Sequence, residues 1–185
     1  MNWAIFNKGE FETTSKDWTV TSKKRLFQNV FESSKHSNCD FVIVMVGLQD
    51  YIKGDKSITP ENTFENIKNI VEALERLEKK VVLCYIPNPD SWDLKKTKKL
   101  ENCFAHTVNN KIKSEFENSN SVILGPLCDL SNYKYFRSDL YQRTRPYFDQ
   151  KGHRFFAADL FDILVPTISK YEINLIISPN KPESE

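Results

Sequence analysis

Between Tyr133 and Arg154 six cations, Lys134, Arg137, Arg143, Arg145, Lys151 and Arg154, stand against two carboxylates, Asp139 and Asp149. Interleaved with them are Tyr133, Tyr135, Phe136, Tyr141, Tyr147 and Phe148. Cations neutralise phosphates and aromatic faces stack on unpaired bases, which is the chemistry of single-stranded RNA binding. The six cations with Tyr141 and Tyr147 are the candidate RNA contacts. A solvated loop with some aromatics turned inward is the plain structural alternative. Lys95, Lys96, Lys98 and Lys99 form a second basic cluster, which reads equally well as a solvated helix entrance.

Nucleophilic chemistry needs an activated hydroxyl or thiol beside a base. Asp149 and His153 are the tempting acid and base, with one residue more between them than an Asp-x-x-His dyad has, and Ser15 and Ser22 are the serines near the first two expected strand ends. No nucleophile elbow surrounds either serine, so each reads as a loop or capping residue. His153 reads as a helix N-terminal surface residue, and His36 and His106 as solvent-facing helix residues. Cys39, Cys84, Cys103 and Cys128 match no zinc or redox spacing and are expected to be reduced core thiols. His, Cys and Asp do not cluster at ligand spacing, so no metal is expected. Neither Gly-rich phosphate fingerprint is present, and no cofactor is implied.

The elements that would position these groups alternate. Phe41–Val46, Lys80–Ile86 and Ser121–Leu124 are short, continuous, β-branched runs of the kind that form buried parallel strands. Trp3–Phe6 and Trp18–Thr21 are weaker strand candidates. Helices are expected over Ser22–Ser33 and after the capping sequence Thr59-Pro60-Glu61, where Phe64, Ile67, Val71, Leu74 and Leu77 make an apolar stripe. Two more follow, one on Leu100, Cys103, Phe104, Val108, Ile112 and Phe116, the other over Gly152–Lys170 with Phe155, Phe156, Leu160, Ile163 and Leu164. Alternation predicts an α/β fold of three α/β/α layers around a parallel sheet, with ligands beyond the carboxyl ends of the strands.

The 185 residues fit one domain, residues 1–178, with a frayed polar tail over 179–185. A net charge of +1 gives no global argument for a nucleic-acid or membrane partner. No apolar run approaches the roughly 20 residues that span a bilayer. Residues Met1–Phe6 are too short and too acidic downstream for a signal peptide. A cytoplasmic protein with reduced cysteines is the expectation.

The order of elements, and two motifs in particular, resemble the SGNH (GDSL-type) hydrolases. Asp40–Asp50, a strand followed by Gly47-Leu48-Gln49-Asp50, is similar to the family's third block, a strand followed by Gly-x-Asn-Asp. Gly152-His153-Arg154-Phe155-Phe156-Ala157 resembles the opening of the family's last helix. The resemblance implies a flavodoxin-like sheet. It also implies a site in which a Ser attacks an ester, a Gly and an Asn help form the oxyanion hole, and a His held by an Asp is the base. The carry-over fails at each place. Gly9 stands where the nucleophile is expected, Ser22 where the oxyanion Gly is expected, and Gln49 replaces Asn. Counting back from Gly152, Asp149 takes the place of the last block's Asn, Tyr147 that of its His and Thr144 that of its Asp. The chain is therefore similar in kind to the catalytically silent, RNA-binding domain of the Oskar family. The expectation is a non-catalytic module that binds single-stranded RNA or a protein, with Tyr147 facing Gln49. The alternative is a GDSL-type esterase with a displaced pair, Ser15 or Ser22 with His153.

Overall fold

The computed structural model describes residues 4–32, 37–53, 57–87, 103–128, 132–135, 137–142 and 147–177. Lys95, Lys96, Lys98 and Lys99, and likewise Arg143, Thr144, Arg145, Phe136, His36, Leu100, Trp3 and the 179–185 tail, lie outside them. The described residues form a mixed α/β structure on a three-stranded parallel sheet: β1 Phe41–Val44, β2 Lys80–Leu83 and β3 Val122–Leu124, in the order β1-β2-β3. The register pairs Val42 with Val81 and Val44 with Leu83, then Val81 with Val122 and Leu83 with Leu124. One face of the sheet is therefore a row of β-branched and Leu side chains.

Five α-helices accompany it among the described residues: α1 Leu26–Phe31, α2 Leu48–Ile52, α3 Pro60–Arg76, α4 Phe104–Phe116 and α5 Gln150–Ile177. Helix α3 starts where expected, with the Thr59 hydroxyl accepting the Asn62 N–H at 3.2 Å and Pro60 in the first turn. Of its expected stripe Phe64, Ile67, Val71 and Leu74 are buried, joined by Ile70, while Leu77 caps the helix and is exposed; Val108 and Ile112 of α4 join the same core. Lys68–Glu115 joins the outer faces of α3 and α4. On the opposite face of the sheet, Tyr171 of α5 lies edge-on to Phe41, with ring centroids 5.3 Å apart.

Two weak strand expectations fail, and with them the larger sheet they would have completed. Around Trp18 the chain forms a 3-10 turn, Ser15–Trp18. The Asp17 carboxylate accepts the Thr14 N–H at 2.9 Å while the Asp17 N–H returns to the Thr14 carbonyl. Within the expected strand the Thr19 N–H goes to the Lys16 carbonyl at 3.3 Å and the Thr19 carbonyl accepts the Ser22 N–H at 3.0 Å, so groups that a ladder would have paired are satisfied in turns. Residues Ala4–Phe6 form no strand, and just beyond them the Gly9 N–H is spent on the Asn7 side chain at 2.9 Å. Helix α5 also differs from expectation. It runs on to Ile177, and of its expected stripe only Phe156 is buried. No described helix is long and apolar enough to cross a membrane.

Candidate functional site

The carboxyl ends of β1 and β2 open into a cleft of about 330 Å³ lined by Phe11, Met45, Leu48, Pro87, Gln142, Tyr147, Phe148 and His153. Its position is set by tight backbone packing. Gly47 turns β1 into α2 at φ 107°, and a Cβ there would stand 2.5 Å from Ile86 Cδ1. On the far side of the cleft, Asn109 of α4 clamps Ile86, accepting its N–H at 2.8 Å and donating to its carbonyl at 2.9 Å. This fixes the segment that carries Pro87.

The third wall comes from the start of α5. Tyr141 and Phe148 form an antiparallel bridge, and the Gln142 N–H meets the Tyr147 carbonyl at 2.8 Å. Asp149 caps α5, its carboxylate accepting the Gly152 N–H at 2.8 Å. Gly152 passes so close to the Ser138–Leu140 turn that a Cβ would lie 2.2 Å from the Leu140 carbonyl oxygen. These contacts present Tyr147 to α2, where the Gln49 Nε2 donates to its hydroxyl at 2.6 Å. Tyr147 and Gln49, 98 residues apart, thus face one another as the counting from Gly152 placed them.

The other residues singled out in the sequence are distributed differently. Gly9 is exposed and Ser22 sits in a turn, accepting the Lys24 N–H at 3.3 Å; neither lines the cleft. Thr144 lies outside the described residues. His153 is exposed at the cleft and meets the Phe148 ring edge-on at 5.9 Å. No hydroxyl or thiol is hydrogen-bonded to it among the described residues. Ser15 is neither a solvated loop residue nor a cap. It is fully buried, its N–H and hydroxyl both donate to Asp50, at 2.8 and 2.6 Å, and its oxygen accepts from Asn66 at 3.0 Å. Thr63 completes this buried cluster with a 3.0 Å bond to Asp50. The cluster fastens the N-terminal segment to α2 and α3, and Ser15 is not among the residues that line the cleft with His153. The signal was Asp50, the acid of the Gly47 block, whose partner in sequence no spacing rule identifies.

Three of the six cations of the basic stretch are paired with carboxylates, Asp139 inside it and Asp159 beyond it. Arg137 pairs with Asp139 through two bonds, at 3.0 and 2.7 Å, and Lys151 joins the same carboxylate. Arg137 first, and Lys151 with it, hold the Asp139 carboxyl down at about 2. Lys134 pairs with Asp159, which also accepts the Tyr135 hydroxyl at 2.6 Å. Lys134 and Arg137 each lie 5.7 Å from the Phe155 ring centroid. Tyr141 is buried at 4% exposure and cannot offer a stacking face. Arg154 and Tyr133 are exposed, and Arg154 makes no ion pair among the described residues. Arg143 and Arg145 lie outside them. Among the described residues no group of three or more His, Cys, Asp or Glu is placed to hold a metal. None of the four cysteines forms a disulfide among the described residues, and burial pushes the Cys84 thiol up to about 12.

No protein-family model matches the chain, and neither a curated protein nor a solved structure is significantly similar to it.

Proposed function

We propose that this chain is a non-catalytic SGNH-hydrolase-like domain that uses the cleft at its strand ends as a protein-interaction site. The hydrogen bond from Gln49 to Tyr147 carries the reading. In an ester hydrolase of this type an amide at this place is held for the oxyanion and a base faces the nucleophile. Here an amide hydrogen of Gln49 goes to a phenol, and no imidazole stands at the Tyr147 position. Because the Tyr147 oxygen accepts from Gln49, its own hydrogen is left to donate into the cleft. Around that donor stand Phe11, Met45, Leu48 and Pro87. A mostly apolar concavity with a few placed polar groups suits a protein segment that inserts an uncharged side chain and offers a backbone carbonyl to Tyr147.

Two measurements with the full chain test this. Hydrolysis of a short-chain nitrophenyl ester is expected to equal the buffer rate, for wild type and for His153→Ala alike. Turnover that His153→Ala abolishes would support the displaced-pair esterase instead. Peptides selected from a displayed library on the full chain are expected to carry a large apolar residue and to lose at least about tenfold in affinity to a Leu48→Lys variant. Peptides indifferent to that change would place the interaction elsewhere.

Single-stranded RNA binding is the second reading. Exposed Arg154 and Tyr133 favour it, while the carboxylate partners of Lys134, Arg137 and Lys151 oppose it.

A further inference from the structure

We propose that the outer edge of β1 is a self-association surface, on which β1 of a second copy of this chain pairs antiparallel about a two-fold axis. The Lys80 and Cys84 N–H groups bond the carbonyls of Asp40 and Val44, at 2.9 and 2.8 Å. The backbone of the even-numbered residues of β1 is therefore turned toward β2. The N–H and C=O groups of Phe41, Ile43 and Met45 point to the other edge, where no strand pairs among the described residues. Natural edges are guarded by charge, proline, a bulge or a cover. The run Phe41-Val42-Ile43-Val44-Met45-Val46 has no charge and no proline, and Ile43 and Met45 are 43% and 41% exposed.

The neighbouring surface is unfinished in the same sense. Helix α5 crosses this side at Tyr171 and Phe41, and it exposes Phe161, Ile173, Leu175, Ile176 and Ile177. Large apolar side chains left exposed together on one helix mark a surface that a partner can cover.

A second copy fits this edge better than an unrelated strand because the edge is complementary to itself. Antiparallel pairing centred on Ile43 sets Ile43 against Ile43, Phe41 against Met45 and Asp40 against Val46, so no like charges oppose one another. All three outward-facing residues fall in hydrogen-bonded register. A net charge of +1 leaves little repulsion between copies. The two sheets would join into one.

Sedimentation equilibrium of the full chain at about 100 µM is expected to give twice the 21.6 kDa chain mass. Ile43→Lys, a charge set against its own copy at an exposed position, is expected to weaken the dimer at least tenfold while leaving the circular dichroism unchanged. A second measurement does not depend on that variant: hydrogen exchange at the Phe41, Ile43 and Met45 amides should slow as wild-type concentration rises. A wild type that stays monomeric, or amides that exchange at one rate at every concentration, would overturn the proposal. So would a dimer lost to Leu175→Glu but indifferent to Ile43→Lys, or one lost only on deleting residues 1–6, which would indicate strand exchange by the N-terminal segment.

Discussion

Asp139 holds two of the stretch's cations in place, and its acidity is a direct readout of how firmly. With Arg137 and Lys151 beside it, the carboxyl titrates at about 2 rather than at the ordinary 3.8. Its folded pKa is depressed, so its contribution to stability is present above about pH 4 and is lost as pH falls through about 2. Carbon-detected NMR titration should find that midpoint, and a variant with both Arg137→Ala and Lys151→Ala should return it toward 3.8. The same pairing governs the RNA reading. Each cation that reaches a phosphate of a single strand adds about 0.7 to the log–log salt slope. Asp139→Asn frees Arg137 and Lys151, and is expected to raise affinity for a labelled unstructured RNA and to steepen that slope. An Arg143→Ala/Arg145→Ala variant should flatten it by roughly one to two units. No binding by wild type or Asp139→Asn at low salt would remove RNA from consideration and leave the protein partner.

At the scale of elements, stability is concentrated where α3 and the start of α5 meet their supports. Leu74 is fully buried between α3 and the sheet, and Leu74→Ala should cost about 2–5 kcal/mol in urea denaturation. Gly152→Ala forces a methyl against the Leu140 carbonyl, a backbone atom that cannot rotate away. It should destabilise by about 1–3 kcal/mol, and it should also disturb Tyr147, five residues upstream. A Gly152→Ala chain as stable as wild type would show that the α5 entry is looser than its geometry. The three strands and four of the helices could be read from sequence because their signals are periodic or continuous: a β-branched run for β1, a stripe at helical spacing for α3. The failures have local causes. Trp18–Thr21 looks apolar enough for a strand, but Thr14 and Asp17 close a turn first. Ser15 looks like a loop serine because its partner, Asp50, is 35 residues away. The Gln49–Tyr147 contact was legible by counting from one glycine, whereas Phe11 is brought to the cleft by a segment with no periodic signal at all.

At the scale of the whole molecule, the described sheet has three strands, with no strand paired to the outer edge of β1 among the described residues, and a long helix, α5, against part of one face. The two proposed partner sites lie on this body, one at the cleft beside Tyr147 and one along the outer edge of β1. The central claim is that the cleft contains no activated nucleophile. Its most direct test is intact-mass analysis of the full chain after prolonged exposure to a fluorophosphonate, which phosphonylates activated hydroxyls and releases fluoride. The account predicts an unmodified mass. Stoichiometric labelling of a serine or of Tyr147, lost in His153→Ala, would contradict it.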